Sequence, residues 1–325
     1  MCYILVHILW CLEDNMEETL KTKEEKIKFF DRTIVVCIVA YLMILVGQVI
    51  GAMIYVVLGR LGDTITPGFS SSAVWQTLFS YVLFVGIWML ALGCLAVSRS
   101  GRTIIKSLWS GLKGNTVKML LVGLAIGLGM NLVCAFIAIL NGDIALYYDS
   151  FKPGSFVIIF VFVFIQSAAE EFICRGYMYQ KFMKRYGKPV VAAVINAAFF
   201  TLVHLVNPGV TALAIVNIFI YGLLFSAMVR YFDSIWVAMA AHAAWNFCQN
   251  IILGLPNSGI VSPYSVFKLD ASTAADSFAY SVSFGIESTI TASIMLLAVT
   301  ALIVWRGEKK GVGYTDIWNK AAAET

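Results

Sequence analysis

The sequence predicts an all-α fold, a single polytopic transmembrane helix bundle of about eight spans with both termini in the cytosol. Three observations carry that expectation. Hydrophobic residues make up 60% of the 325 residues and charged ones only 13%, against about 25% charged in a soluble domain. The apolar residues fall into long runs, each near the roughly 20 residues that a spanning helix needs. These runs are apolar all round instead of alternating with period two, so they read as helices and not as barrel strands. They leave no room for a separate soluble domain.

In chain order, residues 2–12 form a short apolar run followed by Glu13 and Asp14. It lacks a basic flank and a small-residue cleavage site, so it is a poor signal peptide, and it is too short to span. Met16 opens a basic segment with Lys21, Lys23, Lys26, Lys28 and Arg32. Met16 is therefore the expected native start, with residues 1–15 an over-extended reading frame and 1–32 a cytosolic segment. Spans are expected near 34–57, 74–97, 119–140, 155–180, 190–206, 211–230, 235–255 and 282–305. The fourth runs on as a longer helix to about Arg185. The bundle thus occupies 33–305, and 306–325 is a polar cytosolic tail.

With the N-terminus inside, 20 of the 23 Lys and Arg fall on cytosolic segments and helix ends, leaving Arg60, Lys152 and Lys268 outside. That excess is the main orientation signal. The longest outer loop is 256–281. Gly123 and Gly127 make a GxxxG in the third span, a pattern that lets two helices approach closely. The seven cysteines are odd in number, five lie inside spans and none forms a CxxC pair. They read as small buried apolar residues, not as a disulfide framework or a zinc ribbon.

An ionisable side chain is expensive in lipid, so each one in a span needs a reason. Two of the three histidines, His204 and His242, fall inside spans, and the adjacent Glu170 and Glu171 lie in the fourth. Glu171 and Arg175 are four residues apart with the acid first, the favourable order for a helix ion pair. Glu170 points about 100° away on the helix and is free to face a cavity as a general base. His204 shares a face with Phe200, an aromatic wall for the cavity. His242 and Asn246 share another face and can donate hydrogen bonds to an oxyanion. Any one of these residues alone reads as interhelical glue, worth roughly 0.6–2 kcal/mol; all four within three spans read as a peptide-hydrolysing site. Counting rise per residue puts Glu170 and His242 about 8 and 10 Å from the cytosolic face, but His204 about 21 Å deep. A fifth helix that starts outside the core, tilts, or breaks near Pro208 would reconcile them. Glu287 is expected to be solvated at the outer interface.

The strings EEFICR at 170–175, FTLVH at 200–204 and HAAWN at 242–246 resemble the motifs EExxxR, FxxxH and HxxxN. These mark the CPBP family, the CAAX protease and bacteriocin-processing membrane peptidases. The resemblance implies a type II CAAX prenyl endopeptidase-like site with its core over about 119–305, in a multi-pass plasma-membrane protein, opening toward the cytosol. It further implies that Glu170 with His204 activates water, that His242 and Asn246 hold the oxyanion, and that Glu171, Arg175 and Phe200 support the site. Family members are often labelled metalloproteases. If a metal such as zinc were required, His204 and His242 would be its ligands, but a metal-free glutamate mechanism is favoured because Glu170 cannot easily be both ligand and base. The expected partner is a membrane-associated or lipid-anchored peptide in the bilayer, with no role for nucleic acid. The alternative is a non-catalytic membrane regulator or bacteriocin self-immunity protein using the same cavity. A proton-coupled transporter is a third reading, disfavoured because no internal repeat is visible.

Overall fold

The computed structural model describes residues 31–319; the expected start at Met16 lies outside them. The first helix, α1 (Thr33–Ile65), pairs with α2 (Ala73–Ala96). Glycines set how close they come: a Cβ on Gly51 would lie 2.2 Å from the Leu83 carbonyl oxygen, and one on Gly86 2.1 Å from that of Gly47. A short amphipathic helix α3 (Arg99–Lys106) follows, capped by the Ser98 side chain. Next come α4 (Val117–Leu140), capped by Thr116, and the long α5 (Pro153–Tyr186). Proline at the first position of α5 suits a helix start, where its missing N–H costs nothing. Within α5 the stretch Phe172–Met178 is π-helical, and Gly187 ends it in the left-handed region at φ 63°. Then follow α6 (Pro189–His204), α7 (Ala212–Phe232), α8 (Ile235–Phe247) with a π-helical extension Cys248–Ile252, and α9 (Ile290–Lys309).

The all-α membrane bundle predicted from composition is the fold observed. A small antiparallel ribbon is added to it, with β1 (Leu146–Tyr148) paired to β2 (Phe267–Leu269), which ties the segment before α5 to the long segment before α9. Among the described residues six helices, α1, α2, α4, α5, α7 and α9, are long and apolar enough to cross a membrane. The expected count of eight included 190–206 and 235–255. Helix α6 has only 16 residues, and the α8 stretch is diluted by His242, Asn246, Gln249 and Asn250. The eighth expected span starts later than 282, because Ile286–Ser288 is a 3-10 turn and α9 begins at Ile290.

The position of α8 explains its composition. Every residue from Ile235 to Phe247 except Trp236 is buried, with α4, α5 and α7 packed around the helix. A helix enclosed by protein need not be compatible with lipid, so it can carry polar side chains. The GxxxG stripe of α4 makes this enclosure close: a Cβ on Gly123 would meet the Val237 carbonyl oxygen at 2.3 Å, and one on Gly127 that of Ala241 at 2.0 Å. Conversely, α1 exposes Ile34, Ile38, Leu45, Val49, Met53 and Val56. Such a continuous apolar surface needs lipid against it. The chain is an integral multi-pass membrane protein.

Candidate active site

The site begins where α5 changes geometry. Glu170 and Glu171 end its α-helical part, and the π-helical turn follows at once; π-turns inside α-helices frequently mark functional positions. The loosened ladder is satisfied locally, with Asn196 of α6 donating from Nδ2 to the Cys174 carbonyl. Glu171 and Arg175 form the expected pair, Nη1 to Oε1 at 3.1 Å, with both side chains fully buried. Arg175 also donates from Nη2 to the Gly222 carbonyl at 3.0 Å and lies over the rings of Phe200 at 4.8 Å and Phe225 at 5.3 Å. Phe200 therefore packs between the arginine and His204, whose ring centroid is 4.4 Å away.

The depth mismatch between Glu170 and His204 is resolved by the α5–α6 hairpin. Glu170 lies 17 residues before Gly187 and His204 lies 17 after it (187 − 170 and 204 − 187). The two arms are equally long, so the side chains meet at one level. Of the three alternatives, a helix broken near Pro208 comes nearest, since the helix ends at His204.

Both histidines are oriented by acceptors on Nδ1. His204 Nδ1 is 2.7 Å from the Phe200 carbonyl oxygen, and His242 Nδ1 is 3.0 Å from Glu171 Oε1. An acceptor at Nδ1 places the proton there and leaves Nε2 to the cavity. Both Nε2 atoms face the same atom, Glu170 Oε2, at 3.9 Å from His204 and 3.8 Å from His242. That oxygen is buried and has no hydrogen-bond partner among the described residues. The other Glu170 oxygen accepts from Gln166 Nε2.

From Gln166 a polar chain runs on. Asn246 Nδ2 donates to Gln166 Oε1 at 3.2 Å and to Ser167 Oγ at 3.3 Å. Asn257 Nδ2 donates to Asn246 Oδ1 at 3.2 Å and to Glu287 Oε1 at 3.0 Å. The four residues singled out as catalytic, Glu170, His204, His242 and Asn246, thus line one cavity of about 340 Å³. Gln166, Ser167, Asn257 and Glu287 were not among the expected site residues. Gln166 had a legible signal, as a polar residue one turn before Glu170 on the same face. Glu287 had one as well, as an acid inside the expected eighth span, whereas Asn257 had none, since it comes from a loop with no periodicity.

One expectation is corrected by this geometry. Glu287 is buried instead of solvated, with Ser258 donating to its Oε2 from the backbone N–H at 2.6 Å and from the hydroxyl at 3.0 Å. The loop after α8 is held down over the helix end by Asn250, which donates to the carbonyls of Leu255 and Ile260 at 3.1 and 2.9 Å. The cavity reaches from mid-helix Phe225 to Asn207, Asn257, Ser258, Ile260 and Glu287, which belong to loops at the Lys/Arg-poor end.

The metal expectation meets a short donor set. The two Nε2 atoms and Glu170 Oε2 converge, yet no group of three or more His, Cys, Asp or Glu suited to holding a metal ion is found among the described residues. Using Glu170 as a ligand would also occupy the carboxylate oxygen that both Nε2 atoms face. The chemistry below is therefore derived from the side chains alone.

No curated protein and no solved structure matches the chain. Residues 152–248 match the family described as Type II CAAX prenyl endopeptidase Rce1-like. Over that segment, which holds Glu170, His204, His242 and Asn246, the chain is similar to the CPBP peptidases, as its three motifs indicate.

Proposed function

We propose that the protein is an intramembrane endopeptidase that hydrolyses a peptide bond in a membrane-associated or lipid-anchored peptide. The observation that carries this reading is the unpartnered Glu170 Oε2, buried and faced by two imidazole nitrogens at 3.8 and 3.9 Å. Those separations are too long for direct hydrogen bonds and suit a bridging water. Glu170 accepts a proton from that water, with His204 orienting it, and the water oxygen adds to the scissile carbonyl carbon. The Asn246 amide donates to the oxyanion that forms, as does Nε2–H of His242 when its ring carries a proton on both nitrogens. On collapse the C–N bond breaks, and Glu170 returns its proton to the leaving amine nitrogen. Asn246 exchanges one of its present partners, Gln166 or Ser167, for the oxyanion in this step. Glu171 accepts from Nδ1–H of His242, which orients the ring and stabilises its doubly protonated form with Nε2–H toward the cavity.

The test compares wild type with Glu170→Gln on a panel of membrane-anchored peptides in detergent, with and without a chelator. Cleavage by wild type that vanishes in the variant supports the mechanism, and the chelator arm decides metal dependence. Equal cleavage by both removes Glu170 from the chemistry. No cleavage by either favours a regulator or immunity protein using the same cavity.

A further inference from the structure

The cavity has a direction. Its lining includes Asn207 from the loop after α6, Asn257, Ser258 and Ile260 from the loop after α8, and Glu287 from the turn before α9. All three segments follow an outgoing helix or precede a returning one, so they lie at one end of the bundle. Among the described residues none of the lining comes from the turns at the opposite end. At that opposite end, residues near both ends of the described chain bind the end of α5. Lys181 and Lys184 bind Asp31 at 2.6 and 2.9 Å, Arg185 donates to the Asp31 carbonyl at 3.3 Å, and the Trp318 ring N–H donates to the Gln180 carbonyl at 3.0 Å.

The same end holds the cations. The helix ends and turns there carry Arg99, Arg102, Lys106, Lys113 and Lys118, the run Lys181 to Lys188, and Arg306 to Lys310, whereas the open end carries Arg60, Lys152 and Lys268. Excess Lys and Arg marks the cytosolic side. A sideways component is present as well: half-exposed Phe79 of α2 lines the cavity on one side and Val203 of α6 on another. We infer that the cavity opens to the extracytoplasmic face and the outer leaflet, so that its substrate is a peptide segment presented from that side and not a cytosolic C-terminal tail. The substrate clause rests on the peptidase reading; the direction of the opening stands without it.

Cysteine labelling on cells tests the direction. Asn207→Cys and Ile260→Cys report the mouth, Ile260 being 45% exposed, and Lys113→Cys in the exposed loop between α3 and α4 reports the other end. Each is placed in the otherwise native chain, with wild type as the blank for native thiols, and treated with a membrane-impermeant maleimide. The expected ratio of labelling in intact to permeabilised cells is near unity for Asn207→Cys and Ile260→Cys and near zero for Lys113→Cys. The reverse ratios overturn the inference, as do equal ratios at both ends or mouth positions that label only after unfolding. Labelling requires no cleavage, so a chain that labels as expected yet cuts no peptide sinks the peptidase reading alone.

Discussion

The fully buried Glu171–Arg175 pair gives the sharpest energetic prediction. Glu171→Gln keeps the shape of the side chain and removes its charge, leaving a guanidinium in the protein interior. Breaking a buried pair from one side costs about 3–5 kcal/mol. Arg175 retains the Gly222 carbonyl at 3.0 Å and the two ring faces at 4.8 and 5.3 Å, and the new amide oxygen still accepts from Nη1. Those remaining contacts put the expected cost at the low end, about 3 kcal/mol. At roughly 2–4 °C per kcal/mol for a chain of this size, the apparent Tm falls by about 6–12 °C. Intrinsic tryptophan fluorescence in detergent reads it, because Trp245 is buried beside the site and Trp88 stacks on Phe172 at 5.0 Å. The double variant Glu171→Gln with Arg175→Met removes both charges and is expected to melt above the single variant. If it melts at or below Glu171→Gln, an uncompensated buried cation is not what destabilises the single variant, and the reasoning fails.

Glu170→Gln is expected to lower cleavage by roughly 10²–10⁴-fold, the range of a lost general base, while leaving the apparent Tm near that of wild type; a matching loss of stability would recast Glu170 as structural. Asn246→Ala is expected to cost about 10²–10³-fold in kcat. Asn257→Ala acts through Asn246, so it costs less alone and adds nothing in the double variant; additive losses would separate the two residues. Gly127→Val forces a Cβ to within 2.0 Å of the Ala241 carbonyl oxygen, and a shift of α8 near 1 Å lowers kcat about 10²-fold from outside the cavity; unchanged kinetics would show that α4 yields instead. Burial raises the Asp31 pKa, but hydrogen bonds and charges from Lys181 and Lys184 outweigh it and hold the carboxyl below its usual range. A depressed folded value means this stabilisation is full above the unfolded pKa of about 3.9 and is lost as pH falls through the folded one. Asp31→Asn should therefore flatten the acid side of a Tm against pH curve, and an unaltered acid limb would count against the clamp.

Much of the fold was legible because lipid imposes a one-dimensional rule. A spanning helix must be long and apolar, and α1, α2, α4 and α7 begin and end within a few residues of the expected spans, apart from the longer C-terminal end of α1. The rule weakens where protein replaces lipid as the surroundings. Helix α8 departs from it because α4, α5 and α7 enclose the helix, and α6 is cut short at His204. The four candidate catalytic residues were visible for the opposite reason: each is a polar group in an apolar run, and helical spacing alone joined His242 to Asn246 and Glu171 to Arg175.

The sequence by itself determined the helical membrane class, the cation-rich end and the residues able to do chemistry, because each depends on composition or on neighbours within one helix. Tertiary structure alone decided what crosses between elements. It matched the two arms of the α5–α6 hairpin so that Glu170 and His204 meet, aimed both Nε2 atoms at one oxygen, and folded the 253–289 loop over α8 so that Asn257 and Glu287 joined the site. It also brought residues from the loops at the cation-poor end into the cavity lining. Loop residues have no periodicity to read and reach the site only through long-range contacts, and the direction of a cavity is a property of how helices splay, which no single helix encodes.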